Sequence, residues 1–424
     1  MKIRDVSAPH RLITPAGGSA LLVIGILALS LNLRAAITSL PPVFPELQAA
    51  LHISAAGLAL LAAIPVLCFG VFSGSAAPLS RRFGEERVLG AALLLLAAGL
   101  LLRGLSPTDL LFPGTVVAGA AIALMNVLLP SLVKRRQPSR AGLLIGVYLL
   151  CLAVGSVFGS LLAVPLYRDA AQNGWPGGPV RFTLWAWAVP AVIAFVLWLP
   201  QARYRTLPGA ADGLVRTPVA RTSVARHPLA WQVTAFMGLQ SLTYYAALSW
   251  LPSLFQDRGM SAAQAGDLSA LMNFGNAVTA LLIPVIAHRM ASQRALVVPT
   301  VIGTAAGIAG ALYSPLGGAW AWVLLLGLSQ GASLGLAIFF CVARAPDPMT
   351  AASLSGLAQS GGYLLATTGP LAVGLLHAAT GGWDVPVALL LVLCVAELAA
   401  GWLAGRDRVL PAAAVPPSVT SAGR

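Results

Sequence analysis

Charge is what this chain has least of. Asp, Glu, Lys and Arg together make up 9% of its 424 residues, where an ordinary soluble domain carries about 25%. Acidic residues are the scarcer kind, 13 against 26 basic ones, and Glu397 is the one that falls well inside an apolar run. No segment is polar enough along its length for a water-facing domain, so a set of soluble domains is excluded. Cysteine is scarce too. Cys68, Cys151, Cys341 and Cys394 each lie in a hydrophobic stretch, with no CxxC and no His/Cys cluster at ligand spacing, which argues against a structural disulfide or a metal site. The five histidines are dispersed, no two carboxylates share a membrane depth, and no nucleotide loop appears. These absences speak against a membrane enzyme, and no cofactor is expected.

Apolar residues are what the chain has in quantity: 58% hydrophobic, with a mean hydropathy of +0.84. Twelve apolar runs are long enough to cross a bilayer as helices, at roughly 19–40, 55–79, 88–105, 110–133, 140–166, 182–200, 229–252, 264–287, 295–313, 319–342, 352–378 and 385–404. The expected fold is an all-α integral membrane bundle. Lys2, Arg4 and Arg11 before the first run mimic a secretion signal, but that run exceeds a signal core and the pattern continues, so it reads as a retained helix.

The net charge of +13 would suggest nucleic acid in a soluble protein. Here the basic residues sit between the runs. With the N-terminus in the cytoplasm, 21 of the 26 fall on the cytoplasmic side, only Arg103, Arg168, Arg181 and Arg258 on the other, and Arg34 within the membrane. The positive-inside rule then puts both termini in the cytoplasm, and the charge reports topology rather than a nucleic-acid surface. The chain divides as a cytoplasmic N-terminus (1–18), a six-helix bundle (19–200), a cytoplasmic linker (201–227), a second bundle (228–406) and a tail expected to be disordered (407–424). The linker is rich in Arg, Pro, Thr and Ala and has no long apolar run.

The two halves repeat each other. RAAITSLPPVF (Arg34 to Phe44) returns 211 residues later as YAALSWLPSLF (Tyr245 to Phe255). Residues four apart share a helix face. Ser30, Arg34 and Thr38 thus form a polar stripe whose counterpart is Ser241, Tyr245 and Ser249. PLSRRF (Pro78 to Phe83) corresponds to VIAHRM (Val285 to Met290), and KRRQP (Lys134 to Pro138) to VARAP (Val342 to Pro346). Six-helix repeats of equal orientation are related by an axis along the membrane normal, as in one class of secondary transporters.

Three stretches carry a family resemblance: NLRAAITSLPPVFPEL, IPVLCFGVFSGSAAPLSRRFGEERVL and LSGLAQSGGYLLATTGPLAVGLLHAATGGW. Over about residues 20–405 the chain resembles the major facilitator superfamily, and within it the cyanate/2-nitroimidazole transporter branch. The resemblance implies two pseudo-symmetric bundles whose spans one, four, seven and ten line a central cavity. It also implies a gating motif after span two. There this sequence departs from the pattern, with Arg81 where an acidic residue is expected and Glu85 where a basic one is. A swapped pair at i, i+4 is expected if that loop is helical; positive-inside placement of basic residues explains Arg81 equally well.

Arg34 lies about 9 Å inside the outer end of its run at 1.5 Å per residue. Three roles fit it: binding or gating in the cavity, a structural anchor, or snorkelling to headgroups. The matched stripe in span seven favours the cavity. A guanidinium presents a planar fork of donors suited to small planar anions or polarised nitro groups. Companions by position are Tyr245, Tyr244 and Gln240 in span seven, Asn126 in span four, Gln330 in span ten, and Gln359 and Tyr363 in span eleven. Asn32 and the Gly155/Gly159 pair read as helix-packing residues. Lacking a cavity carboxylate, the chain is expected to move a small anion or polar solute by alternating access. A drug or metabolite exporter of unrelated substrate, a sensor and a channel are the competing readings. The solute and the bilayer are the expected partners of a monomer. A coupling proton is considered as a third, though the acidic residues show no relay.

One consequence is open to direct measurement. A C-terminal fusion to green fluorescent protein should fluoresce in cells, and the same fusion to alkaline phosphatase should be inactive; the reverse pattern would overturn the orientation.

Overall fold

The computed structural model describes residues 16–203 and 224–411. Most of the expected linker and tail, and nearly all of the N-terminal segment, lie outside the described residues. The described chain is helical: α1 (Ala16–Thr38), α2 (Phe44–Leu51), α3 (Ala55–Phe72), α4 (Ala76–Phe83), α5 (Glu85–Leu105), α6 (Pro107–Arg136), α7 (Ala141–Gln172), α8 (Gly178–Ala186) and α9 (Ala188–Trp198) make the first bundle. The second holds α10 (Pro228–Asp257), α11 (Ala262–His288), α12 (Arg294–Tyr313), α13 (Ala319–Ala343), α14 (Pro348–Ala366), α15 (Thr368–Thr380) and α16 (Asp384–Ala404).

Eleven of the helices or helix pairs are long and apolar enough to cross a membrane. The twelfth of the expected spans, α10, is not among them. Its Gln, Ser, Thr and Tyr residues dilute its hydropathy, yet Phe236 to Pro252 is buried without interruption. A helix surrounded by other helices on every side need not be apolar towards lipid, and α10 is that helix.

Prolines set where helices break. A proline has no N–H for the carbonyl four residues back. Pro41 and Pro42 end α1 at Thr38, Pro190 accounts for the break after Ala186, and Pro370 for the break after Ala366. The prolines at the second and third breaks offer their own carbonyls to side chains: Asn32 Nδ2 donates to Pro190 O at 3.2 Å and Trp250 Nε1 to Pro370 O at 2.8 Å.

Three arginines that the charge count left on the non-basic side cap helix C-termini. Arg103 Nη1 donates to Ala36 O at 3.1 Å, Arg181 donates to Gly104 O and Leu105 O, and Arg258 to Ala311 O and Ser314 O. Cations there meet the negative end of the helix dipole and carbonyls that lack intrahelical donors.

At the end bearing most of the basic loop residues, Glu85 and Glu86 are fully buried. Glu85 accepts from Ser131 Oγ at 2.8 Å and faces Arg135 at 3.6 Å; Glu86 pairs with Arg136 at 3.0 Å. Gly84, with φ +89°, interrupts the helix between Phe83 and Glu85. Arg81 and Glu85 therefore do not lie one turn apart on a single helix, which corrects the expected i, i+4 geometry. Carried into the second half by the repeat, Glu86 and Arg136 become Gln293 and Arg344, which are also hydrogen-bonded to each other. The repeat keeps the contact and drops the negative charge.

Close packing between α1 and α7 rests on glycine. A Cβ on Gly155 would lie 2.2 Å from Leu31 O, and one on Gly159 2.2 Å from Thr38 Oγ1 and 2.9 Å from Ala35 O, whereas one on Gly146 of the same helix meets nothing within 4 Å. Gly159→Ala should destabilise the purified protein by about 1–3 kcal/mol, the range for overpacking, read as a lower melting temperature. Gly146→Ala should leave it unchanged.

Candidate functional site

Arg34 sits one helical turn before the end of α1, between the two bundles. Its Nη1 donates to Tyr245 Oη of α10 at 3.1 Å, and its guanidinium lies 5.8 Å from the centre of that ring. Tyr244 and Tyr363 are within electrostatic reach of the same charge, as is Tyr148 of α7. Phe69 of α3 completes an aromatic box. Its ring is 6.4 Å from Tyr245 and 5.7 Å from Tyr363, while Tyr244 and Tyr245 lie 5.1 Å apart. Five helices from both halves thus contribute to one cluster.

No carboxylate pairs with Arg34 among the described residues. Hydroxyl oxygens and ring faces are its partners instead. Both interact with a cation through partial charge and neither cancels it. Arg34 is half-buried as a residue, as are Asn126 and Tyr363, and Gln359 one turn earlier on α14 is exposed. Asn126 Oδ1 accepts from Tyr148 Oη at 3.3 Å, which ties it to the edge of the box.

The other predicted companions lie elsewhere. Gln240 is buried and donates to Met237 O at 3.1 Å and Ser241 Oγ at 2.6 Å. Gln330 is fully buried and donates to Thr243 Oγ1 at 3.0 Å, beside Glu397. Both sit in the packing of the second bundle rather than around Arg34, because helical phase turns them to the other side of α10 and α13. Tyr244 borders the box but its hydroxyl is engaged, donating to Asn273 Oδ1 at 2.9 Å. Of the polar stripe, only Arg34 reaches across to the second bundle. Ser30 Oγ donates to Ile26 O and Thr38 Oγ1 to Ser156 O at 2.9 Å, so these two satisfy backbone carbonyls. Sequence reasoning missed Phe69 and Tyr148. Tyr148 had a signal, since the chain has only seven tyrosines; Phe69 looks like any core phenylalanine.

Beyond the box, past the end of α1, the two bundles touch directly: the Phe44 and Trp250 rings lie tilted at 5.8 Å, Gln256 Nε2 donates to Pro42 O at 3.4 Å and Asn273 Nδ2 to Ser160 Oγ at 3.4 Å. Towards the basic end α4 packs on α5 and α6 of its own half. A separate apolar cavity of about 30 Å³, lined by Ala247, Trp250, Leu254, Leu326, Val387 and Leu390, does not reach Arg34.

The sequence profile of the Major Facilitator Superfamily matches residues 21–370. The chain belongs to this superfamily. It is 40% identical to the 2-nitroimidazole transporter of Escherichia coli (strain K12) over 387 residues, covering 91% of this chain and 96% of that protein. It is 29% identical to the cyanate transport protein CynX of the same organism over 363 residues, 85% of this chain and 91% of that one. Among solved structures it resembles a bacterial homologue of the human lysosomal transporter Spinster, with a TM-score of 0.77 and 18% identity, over 94% of this chain and all of the other. The fold is that of the superfamily, the chain is a multi-pass membrane transporter, and it is not an enzyme.

The Arg34–Tyr245 contact has a measurable consequence. Tyr245→Phe should lower stability in thermal or denaturant melts by about 1.5–3 kcal/mol, the range for a hydrogen bond to a charged group. An unchanged melt would mean that the hydroxyl does not hold the guanidinium.

Proposed function

We propose that the chain is a secondary transporter that moves a small planar anion or nitro compound across the cytoplasmic membrane by alternating access, with Arg34 as its recognition residue. The observation that carries this reading is a guanidinium with no carboxylate partner among the described residues, framed by aromatic rings at the meeting of two bundles. A flat, conjugated solute matches both features: its oxygens take the planar fork of donors, and its faces lie against Phe69, Tyr245 or Tyr363. Asn126 and Gln359 supply neutral polar contacts. Tyr244, Gln240 and Gln330 act by holding α10 and its neighbours. Relatives named for 2-nitroimidazole and cyanate support the solute class, since both molecules are small, planar and polar.

The orientation adopted is both termini in the cytoplasm, with bundles 19–200 and 228–406 joined by 201–227 and the monomer as functional unit. On that orientation the pairs Glu85–Arg135 and Glu86–Arg136 lie at the cytoplasmic end as candidate gating elements, and Arg81, in the last turn of α4, is a further candidate.

Binding to purified protein tests the central claim, with 2-nitroimidazole and cyanate as separate probes. Arg34→Ala should weaken binding of whichever is bound by about 10- to 100-fold, as expected for one lost charge-assisted contact of about 1.5–3 kcal/mol, and Arg34→Lys should recover part of it. Undiminished binding by folded Arg34→Ala would overturn the assignment.

A further inference from the structure

Glu397 is the carboxylate that the transport reading leaves unused. It lies in the middle of α16, fully buried, and turns inward against α10 and α13 rather than out to lipid. The other two fully buried glutamates, Glu85 and Glu86, each face an arginine. Glu397 faces none. Its neighbours are neutral: Thr243 Oγ1 lies 3.5 Å from Oε2, the Ser333 hydroxyl lies against the carboxyl, and Gln330 Nε2 donates to Thr243 Oγ1 at 3.0 Å. Cys394, one turn earlier on α16, is the titratable group beside it. Of the charged groups on the other helices packed against α16, Arg294 of α12 stacks on Trp402, and His377 of α15 stacks on Trp383, each at an end of the bundle.

Counting donors shows what the cluster needs. Thr243 Oγ1 lies 3.1 Å from Gln240 O as well as 3.5 Å from the carboxylate, and its single proton serves one of them at a time. Glu397 Oε1, Gln330 Oε1 and Ser333 Oγ have no hydrogen-bond partner, so the one uncommitted hydroxyl, that of Ser333, stands against two open acceptor oxygens. The cluster therefore has surplus acceptors and a shortage of donors. A proton on Glu397 supplies the missing donor and removes a buried charge that three neutral side chains do not offset. The acid can donate to Thr243 Oγ1, which frees the threonine proton for Gln240 O. Ionised, the carboxylate claims that proton instead, and the bond to the α10 backbone is lost. Tyr244 and Tyr245, which border Arg34, follow Thr243 directly on α10.

We propose that Glu397, with Thr243, Gln330 and Ser333, forms a buried proton-binding site, and that its proton exchanges with water when α10 moves relative to α13 and α16. In this conformation the carboxyl is closed off from water, so exchange requires that movement.

Infrared difference spectroscopy on the full-length protein in lipid vesicles tests this without any substrate, so failure of anion binding at Arg34 is a separate result. At neutral pH the wild type should show a protonated-carboxyl stretch that is absent in Glu397→Gln. The band should shift on transfer into heavy water and vanish reversibly at alkaline pH. If Glu397→Gln does not fold, Thr243→Val keeps the carboxyl and should move the band by removing its partner. The proposal is overturned if Glu397→Gln shows the same carboxyl bands as the wild type, if the Thr243→Val band stays in place, or if the band ignores heavy water. It is likewise overturned if sodium chloride at constant pH abolishes the band, which would mark a metal-cation site.

Discussion

A permanent positive charge held inside a membrane bundle constrains everything around it. Arg34 cannot be neutralised at any ordinary pH, and the bilayer offers it no water, so the protein must supply polar surface from all sides or leave the charge open to an aqueous vestibule. The protein supplies the polar surface: Tyr245 reaches across from the second bundle to accept the hydrogen bond, and three further tyrosines lie in electrostatic range. Because the partners belong to both halves, the charge joins the bundles at one level. Any change in how the halves meet changes its surroundings.

That arrangement places an unusual demand on α10. A helix carrying Gln240, Ser241, Thr243, Tyr244, Tyr245 and Ser249 could not face lipid, and it does not: it is the central member of the second bundle, buried all round. Its polar residues divide by face. One side meets Arg34, and the other meets Gln330 and Glu397. The fold is therefore pseudo-symmetric in backbone and asymmetric in charge. Arginine at position 34 becomes tyrosine at 245, and the Glu86–Arg136 ion pair becomes Gln293–Arg344. The repeated backbone supplies the scaffold, and the two halves differ in the charges set upon it.

Much of the architecture is legible in the sequence. All twelve spans, α10 included, were read from apolar length, and in the structure α10 is the one whose polar side chains leave it outside the eleven apolar enough to cross by composition. The helix breaks after Thr38, Ala186 and Ala366 follow from prolines at 42, 190 and 370, although their angles do not. The site was legible only in part. Arg34 and Tyr245 stood out because they occupy matched positions, and Tyr363 and Asn126 because polar side chains are rare in such runs. Gln240 and Gln330 met the same criterion yet belong to another cluster, since rarity does not report helical phase. Phe69 carries no signal at all; a ring in a cage and a ring in a core have the same letter. Glu397 falls in span twelve, outside the spans expected to line the cavity, so its rarity did not point to a partner.

What the sequence by itself determined is what depends on one helix at a time: that the chain lives in a bilayer, where its apolar runs lie, where proline stops a helix, and that stretches of the first half recur in the second. These follow from transfer free energy and backbone geometry, which are local. What only the tertiary structure decided is which polar groups meet. A side chain's partners lie on other helices, and rotating a helix by less than half a turn exchanges one set for another. The aromatic box at Arg34 and the cation-free burial of Glu397 both depend on that rotation, and it is set by the packing of the whole bundle.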